Sequence, residues 1–585
     1  MEWNLKLIYK TEDEFEKDFL SLDDDLKKIE EFKGKLNNIE SVKEYTIIEN
    51  ELERKLEKVY SYAHMNHDLN QKDLNSGKRF QKVYSKYMEI ISRTSFVNPE
   101  LLKNKYEDVM SWCNDPVLKN SKYSFERLFR GNKYVKNSKI EEIMSRYNEV
   151  SSGYSRLYDD LLVADGKSVD VELSDGTSIN VDSANYTYYL ATLEKQDDRR
   201  RVFEAYYKKY DDNKNTLASI YKGVIAGEYA NMKNRGYKSI LESHLFDNNI
   251  DKKVYTSLIS VAKNNNQPVK RYYNLKKKYL GLKNLYTYDR MIHLAESKME
   301  YTYEESKRLV LEADKELGAD FYDKAVKVME DGRVSVMPKD GKTTGAYSTS
   351  TYQDGSFILL NHTNDLNSAF TLAHEAGHSI HSLYANETQP YETHDYTIFV
   401  AEVASTFNEA RFLDYMMEKT TDKNERIVLL QNGIEGLIAT FYRQTLFADY
   451  ELEAHTIYEN GGVIDEEVLS NIMKKLYKKY YGYDLDKEEL KRYVWAYIPH
   501  MFHTPFYVYQ YATSYSASQA IYLNVKNKVP GAFDKYINLL KSGGSNYPVE
   551  LLKEAGVDLT TKEPFMAVVE RLDSLVSQLE EELNK

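Results

Sequence analysis

His374, Glu375 and His378 lie within Thr371-Leu-Ala-His-Glu-Ala-Gly-His-Ser-Ile-His381 and spell H-E-x-x-H. Residues four apart on an α-helix share a face, with Cβ atoms about 5–6 Å apart. Two imidazoles so placed can grip one Zn²⁺ at about 2.0–2.1 Å per bond. Glu375, beside the first histidine, can take a proton from a water that the ion activates. Leu372, Ala373, Ala376, Ile380 and Leu383 supply an apolar helical frame, and no proline intervenes before Pro390. Gly377 costs a helix about 1 kcal/mol relative to alanine. Its place inside the motif predicts a neighbouring element pressed close to the metal.

Catalytic zinc typically has three protein ligands and an open fourth position. The metzincin spacing fails here, because the third residue after His378 is His381 and the sixth is Tyr384. His381 stands about two turns beyond His374, roughly 10 Å by helix rise, and is assigned to packing or to support of the site. The other option is a glutamate on a following helix. In Thr397-Ile-Phe-Val-Ala-Glu-Val-Ala-Ser-Thr-Phe-Asn-Glu-Ala-Arg411, Glu402 and Glu409 are seven apart, on one face, with small apolar residues around Glu402. An antiparallel helix pair would bring Glu402 to the metal and leave Glu409 behind it to orient a ligand histidine.

The elements that must position these residues are mostly helices. Residues 11 to about 160 read as successive amphipathic helices, two of them opened by the capping boxes Thr11-x-x-Glu14 and Ser41-x-x-Glu44. Residues 168–182 alternate apolar and polar around Asp175-Gly176, a β-hairpin signal. Helices resume with Thr187–Tyr210, and Asp197-Asp-Arg-Arg-Arg201 reads as a solvated helix start. Thr302-x-x-Glu305 opens another helix, and residues 334–362 form a second β-rich interruption. Gly341-Lys342-Thr343 lacks the glycine that a phosphate-binding loop needs five positions earlier, where Val336 stands, so a nucleotide site is rejected. The strand Ser356–Asn361 is read equally well as a core strand or as an edge that an extended peptide could join. Asp465 reads as an N-cap and Gly543-Gly544 as a loop. Near the C-terminus Thr504 suits an N-cap and Pro505 a first helical turn. Tyr507, Tyr511 and Tyr515 would then share one helix face, with His500 and His503 leading in.

Composition bounds the rest. Ten Pro and 25 Gly in 585 residues leave room for long uninterrupted elements. A net charge of −13 gives no general affinity for nucleic acid or an anionic membrane. The single Cys113 excludes an intrachain disulfide and a cysteine zinc site, and reads as a packed thiol. The N-terminal residues lack a basic region followed by an apolar run, and no run of about 18 apolar residues occurs. The expectation is a cytoplasmic protein.

In their order along the chain, these motifs resemble the oligoendopeptidase F family, a branch of the thimet-oligopeptidase-like zinc metallopeptidases. The likeness rests on His374–His381, on Phe399–Glu409, on the Gly341–Tyr347 loop with the Phe357–Asn361 strand, and on His500–Ser516. It extends through Leu245–Tyr255 and, more weakly, to the N-terminal helices. The resemblance implies a mainly α, multi-helical fold with small β elements around a deep substrate channel. It implies an N-terminal helical region with the hairpin over 1–190 and a catalytic domain over 191–585. Carried over by position, it implies one Zn²⁺ per chain on His374, His378 and Glu402, with Glu375 as base and Glu409 in support. Among His503, Tyr507, Tyr511 and, more weakly, His500 and Tyr509, it implies groups that hold substrate and its tetrahedral intermediate. Gly345, Ala346, Tyr347 and His500 are expected to bind substrate. The expected activity is hydrolysis of internal bonds in short unfolded oligopeptides, with no nucleic-acid or membrane partner. The alternatives are a helical zinc carboxypeptidase and a helical peptide-binding protein with a dead site.

Overall fold

The computed structural model describes residues 2–585 and is mainly helical, with five strands of at most five residues each among those described. The chain forms two compact units, each assembled from separated stretches. Met1–Lys133, Met299–Glu418 and Ile521–Val557 make the first, and Tyr134–Lys298, Lys419–Ala520 and Asp558–Lys585 the second. No helix among the described residues is long and apolar enough to cross a membrane.

The second unit holds the expected hairpin. Strands β1 (Val169–Glu172) and β2 (Ser178–Val181) pair antiparallel, Val169 opposite Val181. Gly176 takes a positive φ of 85° in the turn, which its missing Cβ makes cheap. Two readings need correction here. The helical run after the hairpin is broken into Tyr186–Thr192 and Gln196–Asp212. Within the second helix Arg199 is buried rather than solvated, paired with Asp289 at 2.9 Å and donating to the carbonyls of Leu193 and Glu194. A buried guanidinium persists because partners occupy its donors. Asp465 caps its helix as expected, accepting from the Val468 amide at 2.9 Å.

In the first unit, helix α1 (Ile39–Leu69) is capped by Asn38, which accepts from the Ser41 amide at 3.1 Å. Ser41 therefore lies inside the helix; the two residue types cap about equally well, and the helix starts at the earlier one. Thr11 and Thr302 cap as expected, each accepting from the amide three residues on. A sheet of β3 (Val334–Ser335), β5 (Gly355–Leu359) and β4 (Tyr347–Thr351) follows, in that spatial order. β5 is parallel to β3 and antiparallel to β4, so the Ser356–Asn361 segment runs through the centre of the sheet and offers no edge. The edge belongs to β4. Gly341-Lys342-Thr343 serves this sheet: buried Lys342 donates to the carbonyls of Leu360 at 2.6 Å and Met337 at 2.8 Å.

Helix α2 (Leu366–Thr388) starts where Asp365 accepts from the Ser368 amide at 2.7 Å. It lies on the sheet, with Ser379 Oγ 2.8 Å from Ser348 Oγ and the Ser379 carbonyl accepting from Ser356. Helix α3 (Ile398–Lys419) crosses α2 at Gly377. A Cβ there would stand 2.7 Å from both the Ala404 carbonyl oxygen and Ser405 Cα. That is the pressing neighbour which the glycine foretold. The run-up to α3 is held just as closely, since Gly544 donates to the Thr393 carbonyl at 2.9 Å and a Cβ on Gly543 would meet that oxygen at 2.2 Å.

Gly377→Ala forces backbone apart, and overpacking of this kind costs about 1–3 kcal/mol. Urea unfolding should register that loss together with weaker metal binding; a variant as stable as the parent would show that the crossing is looser than drawn.

Candidate metal centre

His374 and His378 fall one turn apart on α2, their Nε2 atoms 3.1 Å from each other. Glu402 reaches in from the first turns of α3, its Oε2 3.4 Å from His374 Nε2 and 3.6 Å from His378 Nε2. These three atoms are the candidate ligand set among the described residues. Bonds of about 2.0–2.1 Å meeting at tetrahedral angles put ligand atoms about 3.3–3.4 Å apart, so the spacing already suits zinc.

The proton positions point the same way. His374 Nδ1 is hydrogen-bonded to Glu409 Oε1, and a carboxylate acceptor puts the neutral ring's proton on Nδ1. His374 Nε2 then offers a bare lone pair towards a second imidazole and a carboxylate oxygen. The His378 ring is tied to the backbone of Ala401. Three acceptors converging on one point are stable only around a cation. Without a metal that cation is a proton: burial alone would push His374 down, but Glu409, then Glu375 and Glu402, hold it up at about 9. Burial and the charged His374 push His378 down to about 4.

Glu375 is buried at 6 % exposure, and its Oε2 has no hydrogen-bond partner. Burial drives its carboxyl up to about 7, with Glu402 and Glu409 adding to the rise and His374 and the Ser348 backbone opposing it. A carboxyl that titrates near neutrality beside a metal position is suited to moving a proton. His381 is buried and stacked on Tyr396 with ring centroids 3.6 Å apart, and burial pushes it down to about 3, so it packs rather than ligates.

The sequence reading missed several neighbours. Ser405 donates to Glu402 Oε2 at 3.0 Å, one turn along α3, and a hydroxyl three residues after a ligand could have been read as its support. The Tyr396 hydroxyl meets Ser382 Oγ at 2.8 Å and the His378 carbonyl at 3.4 Å. Nothing in its local sequence signals that.

Gly345 has a φ of 82° on the loop before β4, and Asn361 donates to its carbonyl at 2.8 Å. Tyr347 spends its hydroxyl on Asp68 at 2.6 Å, so from Gly345–Ala346–Tyr347 it is chiefly backbone that remains to meet a substrate.

In the second unit the expected helix from Thr504 is corrected. Thr504 instead ends the short helix His500–His503, and the long helix α4 begins at Tyr509. The buried amide of Phe506 donates to Glu451 at 2.9 Å and its ring packs on His244 and His455. Those contacts hold Phe506 at a φ of 57°, which breaks the helix. Tyr507 therefore precedes α4, while Tyr511 lies on it. His500, Tyr507 and Tyr511 still gather, their ring centroids 5.4–6.1 Å apart. His503 is turned to Asp159 at 3.0 Å, and Tyr509 is buried.

The sequence pattern of peptidase family M3 matches residues 189–570, and that of oligopeptidase F matches residues 100–167. The chain belongs to peptidase family M3. It is 32% identical to oligopeptidase PepF of Bacillus subtilis, over 100% of this chain and 87% of that protein. It is 32% identical to an oligoendopeptidase F homolog of Borreliella burgdorferi, over 96% and 94%. A crystal structure of oligoendopeptidase-F from Enterococcus faecium superimposes with a TM-score of 0.75 at 27% identity, covering 98% and 99% of the two chains. A crystal structure of a Chlamydophila abortus protein gives 0.92 at 29% identity, covering 99% and 98%. The M3 assignment implies a metal, and the His-His-Glu group is suited to hold it.

Two outcomes follow for an M3 peptidase built in this way. Glu409→Gln should weaken metal binding about 10–100-fold, read by competition with a chelator; unchanged affinity would remove Glu409 from the site. Binding must also displace the His374 proton, present in the metal-free protein up to about pH 9. Metal affinity should therefore fall about tenfold per pH unit on going down from pH 8 to pH 6; a flat profile would contradict the protonation assigned to His374.

Proposed function

We propose that this chain is a zinc metalloendopeptidase that hydrolyses internal bonds of short oligopeptides, with one Zn²⁺ on His374, His378 and Glu402. The observation that carries the proposal is the convergence of three acceptor atoms, 3.1–3.6 Å apart, beside a buried carboxyl with one unpartnered oxygen. Bound there, the ion would supply Lewis acidity, lowering the pKa of water and polarising a carbonyl.

This chain's own residues do the rest. Glu375 accepts a proton from the attacking water and delivers it to the leaving amine nitrogen, which its near-neutral pKa allows. Glu409 holds the His374 ring in the tautomer that leaves Nε2 bare. The free edge of β4 receives the extended substrate by main-chain hydrogen bonds, with Gly345, Ala346 and Tyr347 at its entrance. Tyr507, Tyr511 and His503 are assigned to the developing oxyanion and His500 to substrate binding. The division into 1–190 and 191–585 is kept as a functional one, supported by the M3 match beginning at residue 189. A cytoplasmic location is proposed on the single cysteine. The channel that the family resemblance implies is part of the same proposal and would exclude folded proteins.

Internally quenched peptides blocked at both ends test the reaction, because only an endopeptidase cleaves them. Cleavage abolished by a chelator and restored by zinc is expected, whereas release of C-terminal residues alone would point to a carboxypeptidase. Glu375→Gln should keep its metal and lose about 10²–10⁴-fold in turnover; a variant cleaving at the parent rate would remove Glu375 as the base.

A further inference from the structure

A cavity of about 620 Å³ lies in the first unit, walled by Glu53, Glu57 and Tyr60 of α1, Ser350 of β4, Ser382 of α2, and Tyr396. Its place ties it to the metal centre. Ser382 is one turn beyond His378 on the same face of α2, and Tyr396 bonds both Ser382 and the His378 carbonyl. On β4, the backbone of Ser348 meets Glu375. Ser350, two residues on, enters the cavity wall. Two strand residues advance about 6.6–6.8 Å. A peptide lying along the edge of β4 with its scissile bond at Glu375 would therefore aim a side chain into the cavity one or two residues away.

The cavity carries more acidic than basic groups. Glu53, Glu57 and Asp395 line it, and His394 is the sole basic group in the wall. His394 is engaged by Glu57 at 3.5 Å. Glu53 is exposed to the cavity and makes no hydrogen bond or ion pair among the described residues. Surrounding protein, and the fields of Glu392 and Glu57, hold its carboxyl above the usual range. A cation would relieve that repulsion. Two nearby cations stand outside the lining: Arg54 lies over the rings of Tyr352 and Tyr391 at 5.3 and 5.0 Å, and Lys58 faces Asp354 at 3.7 Å. The rings of Tyr60, Tyr391 and Tyr396 add apolar surface to a wall that suits an alkyl stem ending in positive charge.

We propose that this cavity is the specificity pocket of the peptidase, that it takes an arginine or lysine side chain of the substrate, and that Glu53 sets the preference. The inference rests on the proposed function and goes beyond it in naming the substrate class. The test uses the zinc-loaded full chain and N-acetylated quenched peptides that differ at one position, carrying arginine, lysine, citrulline or norleucine, with that position moved along the peptide. At one fixed distance from the cleaved bond, kcat/KM for arginine should exceed that for citrulline at least tenfold. In Glu53→Gln the ratio should fall to threefold or less, and in Glu53→Lys a glutamate peptide should become preferred. Ratios are taken within each variant, so a general loss of activity cancels, and Asp395→Asn provides a second neutralisation of the same wall. A ratio near one at every position, or one unchanged in Glu53→Gln, overturns the pocket and leaves the endopeptidase standing. A preference seen only in a matched set without the acetyl group would assign the cation to the terminal ammonium and overturn the side-chain reading. Failure to cleave any peptide would remove the proposed function, and this inference with it.

Discussion

The close crossing of α2 and α3 at Gly377 is the constraint on which the site depends. Two histidines on one helix turn can offer two ligand atoms, but a third must come from a separate element at the right height. The missing Cβ lets the backbone at Ala404 and Ser405 approach to a distance that any side chain would forbid. From there Glu402 reaches both Nε2 atoms, and Glu409, two turns further along α3, reaches the back of His374. One crossing thus sets both the third candidate ligand and the carboxylate bonded to the back of His374. The Gly543–Gly544 contact with Thr393 and Asp395 fixes the run-up to α3 and with it the register of both glutamates.

The electrostatics follow from that packing. Concentrating His374, His378, Glu375, Glu402 and Glu409 in a mostly buried volume is unfavourable unless positive charge is present. His374 is held charged, His378 is held neutral, and Glu375 titrates near neutrality. His374, His378 and Glu402 would hold a metal ion in place of the proton on His374, which would satisfy the remaining acceptors. The same volume keeps one oxygen of Glu375 unpartnered, at the cost of burying it. Such an arrangement belongs to a site that does chemistry rather than to one that only stabilises a fold.

Much of this was legible from residue types and spacing. H-E-x-x-H places its own ligands because helix periodicity is local, and Glu402 and Glu409 share a face for the same reason. Gly377 announced a close neighbour without naming it. The readings that failed or stayed open depended mostly on partners remote in sequence. Ser41 lost the cap to Asn38, a local competition that the capping-box pattern alone does not rank. The Ser356–Asn361 strand proved central because sheet order is set by pairing with β3 and β4, which no strand's own sequence encodes. Thr504-Pro505 has the form of a helix start, yet Glu451, 55 positions before Phe506, accepts its amide and turns the chain. Arg199 sits in a run of charges that looks solvated, and Asp289, 90 positions away, makes its burial tolerable together with the Leu193 and Glu194 carbonyls.

The central claim is that His374 Nε2, His378 Nε2 and Glu402 together hold one catalytic metal ion. It is tested most directly by anomalous scattering at the zinc edge from crystals of the purified protein. The predicted result is a single strong peak within about 2.0–2.2 Å of all three atoms, lost in crystals soaked with chelator. An empty map at that position, with zinc bound elsewhere or absent from active protein, would contradict it.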